Sequence, residues 1–476
     1  MKERLKSILL LALTISALML ARKVWLVPPQ RDNGIDEIDK MFTDNYLVSD
    51  IANPKKIVVN FGESTHTVLY DEEKFQLWKY IPDVLKSIFE ADESDIVTAQ
   101  ALSNFDYRLL MEKESLVLHF DDSTPIGTFL NILEVKTKNR PSESWHDANE
   151  IYISLNEENY IVLSKGDIHL IVFLKNLDTE NLISIVDSIK EKDEFIEYKF
   201  LGERLDLNSY ILVPRTDRLS PPPIYMENIM RNMENQYVNN LVMRFMGKPV
   251  NYLRALIEED GSRIYVDDPR TLKIYEYGKI AFYDPNQPET VERNFYLSID
   301  TALKFIYDRI GFDRNLYLSD VEEIDFKKQQ GYKFKFSLEA EGYPVKILDD
   351  EIKDYVEIDV FNTSVKRYVQ IVRVAKEMTG RSKRAEVPLD VDKIIDLNKI
   401  TMSNSLTAIQ KQEFDNLNLD EKLNYIINNI IDINIVYIDD LNGDEHWGVS
   451  TAYEIIMPEG KLYYDIYSGR LIMERK

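Results

Sequence analysis

An apolar stretch near the amino terminus constrains this chain more than any other feature. Residues 7–21 carry no charged side chain and are rich in leucine, isoleucine and alanine. Arg22 and Lys23 follow, and residues 24–27 are apolar again. A bilayer-spanning helix needs about 20 residues, and long basic side chains near its end can reach the interface. We therefore predict a transmembrane anchor over residues 7–27.

Basic residues flank this stretch on both sides, so positive charge is nearly balanced across it. Lys6 lies before it, and Arg22, Lys23 and Trp25 lie at its far end, where a tryptophan ring is favoured at headgroup level. Long domains translocate largely regardless of their charge. We therefore expect residues 1–6 in the cytoplasm and the bulk of the chain outside, as in a single-pass protein of the cell membrane.

A cleaved signal peptide is the alternative interpretation of the same stretch. Cleavage requires small residues next to the cut. Cleavage after Ala21 would place Met19 at the third position before the cut, and cleavage after Ala17 would place Ile15 there. Neither is small, so the sequence favours an uncleaved anchor.

Small side chains mark one face of the predicted anchor. Thr14, Ala17 and Ala21 are three and four residues apart, so they share a face of a helix. Small residues let membrane helices approach closely. These three residues are our candidates for contact with other membrane helices, although such residues are common in any anchor.

Charge and cysteine content exclude several functions. The formal net charge is −24, and residues 1–23 contribute five basic side chains and one acidic side chain, which leaves −28 for the rest. Such a surface repels nucleic acid, so we expect no nucleic-acid partner. The absence of cysteine excludes disulfides and thiolate chemistry.

Proline and glycine runs divide the remainder into about three α+β units built on antiparallel sheets. The run at Ser220–Pro223 predicts a stiff connector, and the basic run at Gly380–Arg384 predicts an exposed linker. After the cytoplasmic tail and the anchor, the predicted segments are a spacer at 28–34, an N-terminal domain at 35–215, a middle domain at 224–378 and a C-terminal domain at 388–476.

Local patterns predict several elements inside these units. Apolar runs joined through a glycine turn predict a hairpin over 57–70, and three runs over 151–175 predict a meander. Asp300 and Thr301 are expected to cap a helix. Residues 276–284 resemble 459–465, and a duplication of the last two units and generic hairpin composition are both open explanations.

No residue pattern predicts catalysis, a cofactor or a metal. The five histidines lack metal-ligand spacing, and His66 and His169 are expected to be exposed strand residues. Residues 439–444 fail the calcium-loop pattern, because Ile438 occupies its first position and Val449 its last. We therefore expect a protein that is not an enzyme.

The chain resembles the YycH family. The resemblance lies in the basic-flanked apolar segment at Lys6–Trp25, in Tyr46–Val59 before the first strand and in the closing strands at Tyr463–Ile472. It implies a membrane-anchored extracytoplasmic regulator of the YycG (WalK) sensor histidine kinase of Gram-positive bacteria. Such a regulator acts with a YycI-like protein in a two-component system that controls cell-wall metabolism. A secreted or anchored envelope-binding protein and, less favoured, an envelope hydrolase remain alternatives.

Overall fold

The computed structural model describes residue 51 and residues 53–475, apart from short internal gaps. The gaps are 71, 121–125, 140–144, 206, 208, 232–234, 286–291, 312, 314, 327–328, 350, 379–386 and 442–447. The predicted anchor, its spacer and the whole basic linker at Gly380–Arg384 lie outside the described residues. Within the described part, no helix is both long and apolar enough to cross a membrane.

The described chain is α+β with antiparallel sheets, as the sequence predicts. Two large sheets carry helices on their faces, and a two-stranded ribbon stands apart from them. The helices are α1 Glu72–Trp78, α2 Ile81–Phe89, α3 Asn104–Met111, α4 Ile126–Ile132, α5 Glu180–Lys192, α6 Asn235–Met246, α7 Phe295–Arg309, α8 Val391–Met402, α9 Ala408–Asp415 and α10 Leu419–Asn428.

The strands fall into an early group and a late group. The early strands are β1 Lys56–Asn60, β2 His66–Leu69, β3 Ile96–Leu102, β4 Ser115–His119, β5 Glu150–Ser154, β6 Tyr160–Lys165, β7 Ile168–Leu174, β8 Tyr198–Phe200 and β9 Leu212–Pro214. The late strands are β10 Ile224–Asn228, β11 Arg254–Ile257, β12 Arg263–Asp267, β13 Arg270–Ile274, β14 Lys279–Tyr283, β15 Leu316–Phe326, β16 Gln329–Ala340, β17 Tyr343–Ile347, β18 Val356–Phe361, β19 Ser364–Ile371, β20 Arg373–Glu377, β21 Asp432–Asp439, β22 Ser450–Met457, β23 Gly460–Asp465 and β24 Leu471–Arg475.

The first sheet contains the predicted hairpin and meander. Its nine strands follow the order β3-β7-β6-β5-β4-β1-β2-β8-β9. β1 and β2 pair antiparallel through Ile57 and Leu69, and the turn between them starts at Gly62, whose φ is +80°. β1 and β4–β6 are buried along nearly their whole length, so helices must cover both faces of the sheet centre.

The second sheet joins the predicted middle and C-terminal units. Its main path runs β11-β12-β13-β14-β19-β18-β16-β17-β21-β22-β23-β24, and β15 pairs with β16. β17 and β21 are parallel, with Val345 opposite Tyr437. This pairing carries the sheet across the predicted linker at Gly380–Arg384. The domain boundaries stay predictions, since one sheet can hold strands from more than one unit.

The proline run lies against the second sheet. Pro221 is buried, the Pro222 carbonyl accepts a hydrogen bond of 2.7 Å from the Tyr437 hydroxyl, and the Pro223 carbonyl accepts one of 2.9 Å from the Met378 amide. The β10–β20 ribbon follows at once. The run is therefore a packed connection as well as an extended one.

One sequence expectation about a helix needs correction. Asp300 and Thr301 lie inside α7, whose cap is Asn294; its side chain accepts a hydrogen bond of 2.9 Å from the Leu297 amide. The sequence offers an acceptable capping residue at both places, and only the packing of α7 selects the earlier one.

Candidate functional site

A buried ionic contact joins the two sheets. The Lys56 ammonium on β1 lies 2.6 Å from Asp432 Oδ1 and 3.1 Å from Asn434 Oδ1, both on β21. Only 5% of Lys56 is exposed. A lysine at such a position needs partners, because an unpaired buried charge is strongly unfavourable. We call Lys55, Lys56, Asp432, Asn434 and Glu454 the junction cluster.

Glu454 completes the junction cluster from the neighbouring strand β22. It accepts hydrogen bonds from Asn434 Nδ2 at 3.1 Å and from the Tyr463 hydroxyl at 2.9 Å, and the Lys55 ammonium lies 3.5 Å away. Burial by itself raises the pKa of Glu454, but Lys55 and two other lysines outweigh burial and hold that pKa well below its usual value. Glu454 is therefore ionised at neutral pH.

Asp432 behaves in the same way. Burial raises its pKa, whereas Lys56, Lys55 and His119 lower it, and the net pKa lies below the ordinary value. The junction cluster thus pairs two carboxylates of lowered pKa with two lysines. This arrangement fixes one sheet against the other.

A histidine–carboxylate pair lies beside the junction cluster. Lys56, His119 and Glu150 stand opposite one another on β1, β4 and β5, so their side chains share one face of the first sheet. His119 Nδ1 is 3.0 Å from Glu150 Oε1, and the Tyr107 hydroxyl donates to Glu150 Oε2 at 3.2 Å. A cavity of about 30 Å³ adjoins these side chains and Asp432, enough for a water molecule.

The remaining strand histidines are buried, which makes their predicted exposure wrong. His169 Nδ1 is 2.8 Å from Ser164 Oγ, and its ring stacks on Tyr107 at 4.1 Å between centroids. His66 Nδ1 is 2.8 Å from Asn60 Oδ1, and burial lowers the pKa of His66 to about 4. β2 is buried along its whole length and the His169 ring packs on Tyr107 of α3, and a short sequence window does not reveal these contacts.

Two further ion pairs tie the first sheet and its helices to the rest of the chain. The Lys74 ammonium on α1 is 3.0 Å from Glu339 Oε1 on β16, and the Lys74 side chain has no exposed surface. The Lys199 ammonium on β8 is 3.0 Å from Asp390 Oδ1, just before α8, and 3.7 Å from Asp392 Oδ2. The first sheet and its helices are thus joined to the later part of the chain at three charged positions.

An open cleft lies next to the junction cluster. Its volume is about 580 Å³, and Ile431 and Tyr463 lie in its wall. We call it the basic cleft, after its four cationic lining residues Lys346, Lys353, Lys461 and Arg475.

The charged side chains of the junction cluster are paired with one another. No group of three histidine, aspartate or glutamate side chains within the described part is placed to hold a metal ion. The acidic groups of the junction cluster are engaged by lysine, asparagine and tyrosine donors.

The site residues that the sequence singled out lie outside the described residues. They are Thr14, Ala17 and Ala21 on the candidate helix face, with the interfacial residues Lys6, Arg22, Lys23 and Trp25. Sequence reasoning missed the junction cluster, because Lys56 and Asp432 are 376 positions apart and no local pattern links them. The one available signal was a lysine beginning a strongly apolar strand.

Comparison with known proteins decides the fold. No family model matches the chain, and no curated protein matches it. The crystal structure of YycH from Bacillus subtilis does match, with a TM-score of 0.52 over 91% of this chain and 98% of that one. The chain has a YycH-like fold. Sequence identity over the match is 13%, so the YycH resemblance seen in the sequence is confirmed at the level of the fold.

Proposed function

We propose that this protein is a non-enzymatic regulator of a membrane sensor histidine kinase of the YycG (WalK) type, acting with a YycI-like protein. The observation that carries the proposal is the YycH-like fold over 91% of the chain. The kinase belongs to a two-component system that controls cell-wall metabolism. Regulation of this kind needs contact surfaces rather than reacting groups.

The ionic connections between the sheets support regulation by contact. Lys56, Lys74 and Lys199 each bind a carboxylate from the later part of the chain. Breaking a buried pair leaves an uncompensated charge, which strongly disfavours separation of the partners. The two sheets therefore form a body of fixed shape, which suits a protein that presents a surface to others.

The apolar segment at residues 7–27 supports the membrane part of the proposal. As an uncleaved single-pass anchor with residues 1–6 in the cytoplasm, it would place the sheets outside the cell membrane. Thr14, Ala17 and Ala21 would then form the helix face that contacts the kinase or the YycI-like protein within the bilayer.

Substitution of that face tests the proposal. The variant carries Thr14→Leu, Ala17→Leu and Ala21→Leu, which keep the segment apolar but remove the close approach of helices. Each contact of this kind contributes on the order of 1 kcal/mol, so the yield of co-purified kinase should fall several-fold. Phosphorylation of the response regulator should change as well.

A matched variant separates contact from insertion. Ile8→Leu, Ile15→Leu and Met19→Leu alter the opposite face of the same helix and should leave co-purification unchanged. The proposed face is wrong if both triple variants retain the kinase equally. The regulatory function itself is wrong if deletion of the whole gene leaves response-regulator phosphorylation unchanged.

A further inference from the structure

The basic cleft is an unusual surface in so acidic a protein. Its cations come from separate elements: Lys346 from β17, Lys353 from the loop before β18, Lys461 from β23 and Arg475 from β24. Convergence of four cations from different parts of the chain differs from a charge run along one helix face. The volume of about 580 Å³ is typical of sites that hold small molecules.

Within the described part of the chain, these cations form no direct ion pair with a carboxylate, although Lys346 and Lys461 lower the pKa of the buried Glu454. None of the four forms an ion pair with a carboxylate of the described residues, whereas Lys55, Lys56, Lys74 and Lys199 all do. Arg475 donates instead to the carbonyl of Ile347. The cleft therefore keeps the charge of Lys353 and Arg475 available to a ligand, whereas Lys346 and Lys461 share theirs with Glu454.

Two of the three acidic lining residues already have partners of their own. Asp320 pairs with Lys335 at 2.7 Å. Asp354 accepts hydrogen bonds from the hydroxyls of Ser319 at 3.0 Å and Ser337 at 3.2 Å, and burial raises its pKa. Among the lining acids this leaves Glu459, which is exposed in the turn after β22. Glu454 lies behind the wall of the cleft and already accepts hydrogen bonds from other side chains.

We propose that the basic cleft binds a phosphate monoester. A phosphate monoester carries about 1.5 to 2 negative charges at neutral pH and three acceptor oxygens, which suits several converging ammonium groups. Lysine binds phosphate well as a point charge, whereas a single carboxylate would leave most of these cations unpaired. The binding site stands independently of the proposed regulatory function.

Calorimetry on the full chain in a neutral detergent tests this site. The probes are glycerol 3-phosphate as a soluble monoester and dihexanoyl phosphatidic acid as a lipid headgroup, with succinate as a dicarboxylate control. We expect saturable binding of a phosphate probe and much weaker binding of succinate. Tighter binding of the lipid by about tenfold would identify a headgroup as the source, and equal binding would identify the free ester.

Matched variants assign the binding to the cleft. Lys353→Gln combined with Lys461→Gln should weaken phosphate binding by about tenfold or more, since hydrogen bonds to charged groups are the strong ones. Lys175→Gln removes an exposed lysine elsewhere and should bind as the unaltered chain does. If circular dichroism shows that the double variant does not fold, Lys353→Gln alone replaces it, because Lys353 is exposed.

Three results would overturn the proposal. The first is the absence of saturable binding of either phosphate probe. The second is succinate binding as tight as phosphate binding. The third is unchanged phosphate affinity in the folded cleft variant.

Discussion

Replacing Lys74 with methionine measures how strongly a buried ion pair stabilises the contact between α1 and the second sheet. The Lys74 ammonium lies 3.0 and 3.2 Å from the two carboxylate oxygens of Glu339, and the Lys74 side chain is fully buried. Methionine keeps most of the apolar stem and removes the charge. Removing one partner of a buried pair costs about 3–5 kcal/mol, so the free energy of unfolding should fall by about that amount at about pH 8.

Proton uptake by Glu339 makes this loss depend on pH. Burial raises the pKa of Glu339, and Lys74 opposes that rise. Without Lys74 the pKa of Glu339 in the folded state rises further. At a pH between the folded and unfolded pKa values, Glu339 is therefore protonated in the folded state and ionised in the unfolded state. Stability of the variant therefore increases as pH falls from that raised pKa toward the unfolded value of about 4.3. The deficit should be smaller at about pH 5 than at about pH 8.

Urea denaturation followed by tryptophan fluorescence is a suitable assay. Trp78 is 3% exposed and lies one helical turn after Lys74. Adding Glu339→Leu to Lys74→Met removes both charges and should recover most of the loss. Lys86→Met on the exposed side of α2 should change stability by less than about 0.5 kcal/mol. The reasoning fails if Lys74→Met loses no more than Lys86→Met, or if the double variant is no more stable.

Three further predictions follow from other parts of the chain. Asp432→Asn should lower stability at about pH 7 and make stability fall less steeply in acid. The pKa of Asp432 is depressed in the folded state, so the unaltered chain loses stability as pH falls below the unfolded pKa of about 3.9. An acid titration by circular dichroism compares the slopes of stability against pH for the variant and the unaltered chain. Gly331→Ala should cost about 1–3 kcal/mol, since a Cβ there would lie 2.4 Å from the Val360 carbonyl oxygen; an unchanged urea midpoint would refute it. Brief trypsin treatment should cut the chain first at residues 380–384. Early cuts within residues 262–374 would contradict the predicted position of the exposed linker.

Local patterns were sufficient for the parts of the fold built from neighbouring residues. The β1–β2 hairpin and the meander over 151–175 follow from apolar runs separated by turn residues, and such signals lie within a few positions of one another. β3 could not be predicted in this way, because its residues are largely exposed and show no alternation. Its identity depends on pairing with β7.

The candidate sites depended on long-range contacts. The four cations of the basic cleft span residues 346–475, and Lys74 meets Glu339 across 265 positions. Each is an ordinary surface residue by sequence alone. The fold decides which lysines become buried partners and which remain available, so residue type gave no indication of either site.

The parallel pairing of β17 with β21 also has a consequence during synthesis. A chain leaves the ribosome amino end first, and Ile347 emerges about 85 residues before Asp432, or about 4–17 s at 5–20 residues per second. Until then the β17 edge lacks its permanent neighbour and is open to pairing with another nascent chain. A stop or a long pause before Asp432 should therefore yield aggregated chains rather than a shorter working protein.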